Sequence, residues 1–349
     1  MRYIPVHQLE ENMILGQELY DADGRMLICK HTQLTEENIA FIAFLGIPGV
    51  YIDDEFSEEI QIQEIIEPEV YKAAVQIIRR VFVYSLNEEM DSEEAALREK
   101  VQQIVKAVLA REEVLYNLIN IKSYDCYTYF HSVNVAILSA ILGAKLHLSE
   151  EELIDLTTAG FLHDVGKVFV DPDIINAPRK LTPEERGMMM DHPRLGYDFL
   201  VTHYHFNEEV LQAVYQHHEW YNGHGYPRRF AAREISLLAR ILKVADVYDA
   251  MTGRRSYHEP YLPSDVLEYI MGRNGMEFDP EVVGLMIEDF CVYPVGCEVQ
   301  LSDGRHGVVV QNHKGTIMRP TIKLLDSEEH LNLTDDRSTW NITITKLLM

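Results

Sequence analysis

The sequence predicts a mainly α protein, a helical bundle with a small N-terminal α+β domain and a small C-terminal β appendage. Between residues 115 and 290, apolar residues recur at helical spacing and clear strand signals are missing. Residues 1–56 instead alternate short apolar stretches with turn residues, and strand patterns return after Tyr293-Pro294. These changes predict an accessory domain over 1–56, a helical linker over 57–114, the bundle over 115–290 and the β appendage over 291–349.

The accessory domain is predicted to contain a hairpin around the turn 21–25, a helix that starts near Thr35, and a last strand at 50–52. Gly46 is expected to end the helix, because glycine readily takes the conformation that closes a helix. Pro68 suits the first turn of a linker helix, since proline lacks the N–H that would have no partner there. A second amphipathic linker helix is predicted over 97–108.

The remaining elements follow from apolar periodicity and turn residues. Bundle helices are predicted at 130–142, 150–162, 183–200, 207–216, 235–250 and in a last pair after Leu262. Strands are predicted at 298–301, 308–311, 321–325 and 340–344.

The composition excludes some classes of function. A formal net charge of −25 argues against a nucleic-acid polymer as ligand, because binding one requires a basic surface. A small anionic substrate stays open, since a metal cluster would supply local positive charge. The 4 cysteines form no CxxC pair, which favours a reducing cytoplasm. No signal peptide and no apolar run of membrane-spanning length is visible, so we expect a cytoplasmic protein without membrane insertion.

Seven side chains of the bundle are of the types that bind metals at hydrolytic sites, namely imidazole and carboxylate. They are His131, His163, Asp164, His192, His217, His218 and Asp246. Taken singly, His131 also fits a buried histidine with a hydrogen bond, and His192 a residue favoured by a helix end. The doublets His163-Asp164 and His217-His218 each follow an apolar helix. Asp246 lies among apolar neighbours, where a carboxylate is costly unless it is paired or bound to a cation.

The segments 163–167 (HDVGK), 217–219 (HHE) and 222–227 (NGHGYP) resemble, in order and spacing, the HD-GYP family of the HD phosphohydrolase superfamily. The resemblance covers about residues 115–290, including 249–252 and 278–280. It implies an HD-type helical bundle as an HD-GYP catalytic domain.

The resemblance also implies a metal-dependent phosphodiesterase that hydrolyses cyclic di-GMP to linear pGpG, with further cleavage to GMP left open. Two divalent ions about 3.5–4 Å apart would hold a bridging hydroxide and neutralise the phosphodiester. Iron or manganese suits the mixed ligands best, while zinc, nickel and cobalt stay open. Tyr127 stands where some relatives with three metals carry glutamate, so two ions are expected. We expect one ion to be held by His131, His163, Asp164 and Asp246, and the other by Asp164, His192, His217 and His218.

Further site residues are carried over from the family motifs. Asp164 and Lys167 are expected to be catalytic. The expected substrate contacts are Arg179, Lys180, Gly225, Tyr226, Pro227, Arg255 and Tyr257. A surface lysine at 167 and a solvated basic turn at 254–255 are the plain alternatives. Asn222 replaces the usual aspartate, and Ala177-Pro178-Arg179 replaces a Lys-Pro-Gly segment.

Two other functions stay open. One is a catalytically weak cyclic-dinucleotide sensor or protein-interaction scaffold, which the complete ligand set argues against. The other is a phosphodiesterase for cyclic GMP-AMP. A homodimer or a signalling-protein partner is a further expectation that the sequence does not decide.

Overall fold

The computed structural model of the protein describes most of the chain. The described residues are 1–20, 26–60, 62, 66–84, 90–110, 127–253, 261–289, 292–327 and 329–348. Two gaps, 111–126 and 290–291, fall at predicted domain boundaries, and the four-segment division therefore stays a prediction.

The N-terminal residues form two small sheets and one helix. The elements are β1 (Arg2–Pro5), β2 (Ile14–Leu15), β3 (Leu19–Tyr20), β4 (Met26–Ile28), α1 (Glu36–Phe44) and β5 (Gly49–Asp53). Strands β1, β5 and β2 pair antiparallel in that order, and β3 pairs with β4. Thr35 caps α1 through its side chain. These elements share a small apolar core that is separate from the main core.

Eleven further helices lie in the described part of the chain after residue 66. They are α2 (Pro68–Tyr84), α3 (Met90–Leu109), α4 (Tyr127–Lys145), α5 (Glu150–Leu162), α6 (Pro172–Ile175), α7 (Pro183–Met190), α8 (His192–His203), α9 (Glu208–Gln216), α10 (Leu237–Thr252), α11 (Pro263–Gly272) and α12 (Pro280–Asp289). The mainly α prediction is confirmed. Each of these described helices is too short or too polar to cross a membrane.

The helix predicted over 183–200 is wrong in one respect, because it is two helices. α7 ends at Met190 and α8 begins at His192, with Asp191 between them. Pro193 lies in the first turn of α8, where a proline needs no amide partner. The break therefore puts His192 at a helix start rather than within a helix.

The C-terminal residues form a five-stranded antiparallel sheet. Its strands are β6 (Glu298–Leu301), β7 (His306–Gln311), β8 (Thr321–Leu324), β9 (His330–Asn332) and β10 (Ile344–Leu348), in the order β10-β6-β7-β8-β9. The sequence missed the short β9 and placed the last strand at 340–344. In the structure a 3-10 helix capped by Asp336 ends at Thr339, and the strand begins only at Ile344.

The N-terminal elements contact both the C-terminal sheet and α2. The buried Lys323 ammonium donates to the Phe56 carbonyl at 2.9 Å and pairs with Glu59 at 2.9 Å. On the other side, the Lys72 ammonium lies 4.7 Å from the centre of the Tyr20 ring. The N-terminal elements are thus attached to the C-terminal sheet and to α2.

Candidate metal centre

The structure brings together the seven side chains that the sequence selected as metal ligands. His131 lies on α4 and Asp246 on α10, His163 and Asp164 directly follow α5, His192 begins α8, and His217 and His218 directly follow α9. The two doublets thus leave helices at their ends, where adjacent residues can face one centre. Six of these residues are at most 7% exposed, and His218 is half-buried.

Three of the histidines are oriented by the helix turn that precedes them. The Nδ1 atoms of His163, His192 and His217 lie 2.8, 2.8 and 2.6 Å from the carbonyl oxygens of Gly160, Met189 and Val214. In each case the acceptor is the residue three positions earlier. Because Nδ1 donates its hydrogen there, the Nε2 lone pair of each ring points away from its helix.

His131 is oriented by a side chain instead. Its Nδ1 donates to Asp249 Oδ2 at 2.7 Å, and Asp249 Oδ1 accepts from the Asn134 amide at 2.9 Å. The His131 Nε2 atom then faces Asp246 Oδ1 at 3.1 Å. With Nδ1 donating to Asp249, the Nε2 lone pair and the Asp246 oxygen can bind one cation together, whereas a hydrogen on Nε2 would bond Asp246 directly.

Asp164 lies between two groups of ligand atoms. One group comprises His192, His217 and His218, and the other His131, His163 and Asp164, with the ligand atoms of each group within 4.8 Å of one another. Asp164 Oδ1 is 3.4 Å from His192 Nε2, while Oδ2 is 3.4 Å from His163 Nε2. One carboxylate therefore presents an oxygen to each group.

Both carboxylates of the centre are held in the charged form. Burial raises the pKa of Asp164, but Lys167 and His163 outweigh burial and hold that pKa well below its usual value. For Asp246, burial is outweighed by the His131 hydrogen bond and by His163, so its pKa also lies well below the usual value. Two negative charges are thus kept in a buried space.

The three histidines of the other group are held neutral. Burial lowers the pKa of His192 to about 4, and burial with the neighbouring imidazoles lowers those of His217 and His218 well below the usual value. His163 differs: burial lowers its pKa, but Asp164 and Asp246 outweigh burial and raise it. Neutral imidazole is the form that binds a metal ion.

These residues fit divalent metal ions. The buried His163 Nε2 has no hydrogen-bond partner among the described residues, and the Nε2 atoms of His192 and His217 face each other at 3.2 Å. Both rings already donate through Nδ1, so their facing atoms are both acceptors. Converging acceptors beside two carboxylates favour a bound cation, and the sidechain clusters could hold one.

Lys167 lies at the edge of this centre. Its ammonium is 2.5 Å from Asp164 Oδ2, and its side chain keeps 25% exposure. It lies on the 3-10 helix Val165–Phe169, which directly follows Asp164. Lys167 can therefore reach both the buried carboxylate and a molecule that enters from solvent.

The loop after His218 folds back over that residue. The Tyr226 ring stacks on the His218 imidazole with centroids 4.7 Å apart, and the Tyr226 amide donates to the His218 carbonyl at 3.2 Å. A Cβ on Gly225 would come 2.5 Å from that carbonyl oxygen, so a side chain does not fit there. The Tyr226–Pro227 peptide bond is cis. The loop therefore fixes His218.

Two other residues of this loop stabilise its shape. The buried Glu219 accepts from the Arg228 amide at 2.6 Å. Asn222, which stands where the similar HD-GYP motif has an aspartate, also supplies an oxygen acceptor and accepts from the His224 amide at 3.1 Å.

The remaining predicted substrate contacts have different surroundings. Both terminal nitrogens of Arg179 donate to Glu185 at 2.7 Å, so this guanidinium is engaged within the protein. Lys180 is exposed beside it. Arg255 and Tyr257 lie outside the described residues. The substrate roles of all these residues stay predictions.

Sequence reasoning gave no role to Asp249, Asn134 or Glu219, although the structure places them behind the centre or its loop. Asp249 carried a detectable signal, because it lies one helical turn after Asp246 on the same apolar helix. Asn134 bears the same relation to His131 on α4. A polar residue one turn from a candidate ligand indicates a supporting partner.

Known proteins similar to this chain include an HD domain family and several phosphodiesterases. Residues 113–282 match the family described as HD domain. A cyclic di-GMP phosphodiesterase of Pseudomonas aeruginosa is 37% identical over 227 residues, which is 65% of this chain and 55% of the relative. A 3'3'-cGAMP-specific phosphodiesterase of Vibrio cholerae is 32% identical over 192 residues, covering 54% of this chain and 37% of the relative. The chain thus spans about half the length of the first relative and less of the second.

A solved structure, an HDG"Y"P protein from Bdellovibrio bacteriovorus, shares the fold. It covers 81% of this chain and 96% of its own, with a TM-score of 0.54 and 16% identity. The helical architecture with its histidine and aspartate clusters defines an HD-type domain. Residues 113–282 thus match the HD domain family, and their histidine and aspartate motifs are similar to those of HD-GYP proteins.

Proposed function

We propose that this protein is a metal-dependent phosphodiesterase that hydrolyses cyclic di-GMP. The observation that supports it most directly is the convergence of imidazole acceptors on two charged carboxylates in a buried space. The family relatives named as cyclic di-GMP phosphodiesterases support the choice of substrate.

The proposed centre holds two divalent ions, iron or manganese. His131, His163, Asp164 and Asp246 would hold one ion, and Asp164, His192, His217 and His218 the other. When bound, the ions neutralise the phosphodiester and lower the pKa of a water nucleophile. The mixed nitrogen and oxygen ligands favour iron or manganese.

The chain's own residues have distinct proposed roles. Asp164 is shared between the two groups, since each of its oxygens faces one of them. The partly exposed Lys167 ammonium would contact a phosphate oxygen and position it for in-line attack. Tyr226 holds the His218 ring by stacking and shapes the substrate side of the site.

The proposal is tested by turnover. Protein loaded anaerobically with Fe²⁺ or Mn²⁺ is incubated with cyclic di-GMP, and the products are separated by chromatography. We expect linear pGpG, with GMP as the later product if cleavage continues, and no product after a chelator has removed the metal. Metal-loaded protein that binds cyclic di-GMP tightly without cleaving it would instead be a sensor.

Cyclic GMP-AMP is a second candidate substrate, because the Vibrio cholerae relative is specific for 3'3'-cGAMP. Both cyclic dinucleotides are therefore compared at equal concentration. A higher kcat/KM for cyclic GMP-AMP would replace cyclic di-GMP in the proposal and leave the metal chemistry unchanged.

Lys167→Met is expected to lower kcat about 100-fold, the scale of losing one charged contact to the transition state. Mn²⁺ binding at neutral pH should persist, because every metal-ligand candidate remains. Mn²⁺ titration and steady-state kinetics check this, with Lys106→Met on the exposed face of α3 as the control. Unchanged kcat would remove Lys167 from the reaction.

The proposal includes a cytoplasmic location. It also includes association with a second copy or with a signalling protein, for which light scattering of purified protein is the first measurement.

A further inference from the structure

Helix α2 precedes the segment 113–282 that matches the HD domain, yet one of its side chains reaches the hydrogen bonds behind the candidate metal centre. The Tyr71 hydroxyl donates to Asn134 Oδ1 at 2.8 Å. The two residues are 63 positions apart in sequence, so this bond joins α2 to α4.

The hydrogen bonds continue from Asn134 to His131. The Asn134 amide nitrogen donates to Asp249 Oδ1 at 2.9 Å, and Asp249 Oδ2 accepts from His131 Nδ1 at 2.7 Å. Asn134, Asp249 and His131 are each at most 5% exposed. Three successive hydrogen bonds thus link the tyrosine of α2 to a candidate metal ligand.

The Tyr71 hydroxyl and the Asp249 carboxylate together fix which way the Asn134 amide faces. An amide presents an oxygen acceptor at one end and an NH₂ donor at the other. With the hydroxyl present, the oxygen faces Tyr71 and the NH₂ group faces the Asp249 carboxylate. Without the hydroxyl, the amide oxygen loses this bond, so the amide is held less firmly in the position from which its NH₂ group donates to Asp249.

A second contact positions the tyrosine. The Tyr71 ring stacks on Phe130, with centroids 6.2 Å apart and an interplanar angle of 22°. Phe130 directly precedes His131 on α4. Burial raises the pKa of the Tyr71 phenol, so it keeps the hydrogen that it donates.

We propose that Tyr71 is a positioning residue for the metal centre, acting through Asn134 and Asp249 on His131. The inference rests on the proposed function, because it takes His131 as a ligand of a divalent ion. It extends the metal site to a helix that precedes the HD domain match.

Tyr71→Phe tests this, since it keeps the ring and the stacking on Phe130 and removes only the hydroxyl. Metal-free protein is titrated with Mn²⁺ by calorimetry and by the Mn²⁺ EPR signal. We expect one of the bound ions to show a Kd raised about 3- to 10-fold, less than the 10- to 100-fold typical of a direct partner of a ligand. Tyr204→Phe is the control, because Tyr204 is a buried tyrosine that directly follows the C-terminal end of α8.

A second variant tests whether Tyr71 affects metal binding through Asn134. Asn134→Ala should raise the Kd about 10-fold or more, and adding Tyr71→Phe to it should cause no further loss. A merely structural effect of the hydroxyl would lower the melting temperature of the metal-free protein without changing the Kd.

Three results would overturn the inference: an unchanged Kd in Tyr71→Phe, an additive loss in the double variant, or no Mn²⁺ binding by the unaltered protein. The last result would overturn the proposed function as well. Protein that binds Mn²⁺, shows the expected Kd changes and cleaves neither cyclic dinucleotide would instead overturn the proposed function alone.

Discussion

Asp164→Asn is expected to abolish both phosphodiester hydrolysis and the binding of at least one metal ion. The asparagine keeps the shape of the side chain but has no negative charge and only one acceptor oxygen. It therefore cannot present an acceptor to both ligand groups, which Asp164 does at 3.4 Å on each side. Activity should fall by more than about 100-fold, because losing an outer partner of a ligand already costs 10- to 100-fold.

Metal content by mass spectrometry and turnover of cyclic di-GMP measure the two effects separately. Asp198→Asn is the matched control, since Asp198 is an exposed aspartate of α8 that pairs with Arg194. Circular dichroism should show the same helix content in all three proteins. If Asp164→Asn kept a full complement of metal and near-normal turnover, the shared-carboxylate arrangement would be wrong.

Among glycine-to-alanine substitutions near the site, Gly166→Ala is expected to lower the free energy of unfolding most. A Cβ at this position would collide with the His192 carbonyl oxygen and lie 2.5 Å from the Gly196 amide nitrogen. Both neighbours are backbone atoms of α8, so the helix itself must move. We expect a destabilisation of about 1–3 kcal/mol, with His192 displaced and Mn²⁺ binding weakened.

Gly187→Ala provides the opposite result as a control. Gly187 lies within α7, and a Cβ there would meet no atom within 4 Å. Alanine loses less backbone freedom than glycine in a helix, so this variant should be more stable by about 0.5–1 kcal/mol. Thermal unfolding of both variants compares the two effects. Equal melting temperatures of the two variants would show that α8 can move to accommodate a Cβ at position 166 without loss of stability.

The sequence predicted the parts of the fold that repeat. Apolar positions at helical spacing located most bundle helices, and the alternating residues around the turn at Gly304 located the hairpin of β6 and β7. The break at Asp191 was missed, because Pro193 in a first turn leaves the apolar spacing unchanged. The last strand was placed too early, since the apolar residues Trp340 and Ile342 alternate like a strand but follow a 3-10 helix.

The candidate ligands could be selected from the sequence because imidazole and carboxylate are uncommon on apolar helices and at their ends. The residues that orient these ligands could not be selected in this way. Asp249 orients His131 across a separation of 118 residues, and Tyr71 reaches Asn134 across 63. Periodicity identifies the buried face of each helix, but it does not say which polar side chains of two helices meet.

Four of the five candidate imidazoles divide into fixed and adjustable members by the way they are oriented. His163, His192 and His217 each bond a main-chain oxygen three residues back, which any amino acid at that position would supply. Neighbouring residues can therefore be substituted without altering the orientation of these three rings. His131 depends on Asp249, Asn134 and Tyr71, so its aim can be retuned by mutation. Divergence among relatives would therefore retune the His131 ring and leave the orientation of the other three rings constant.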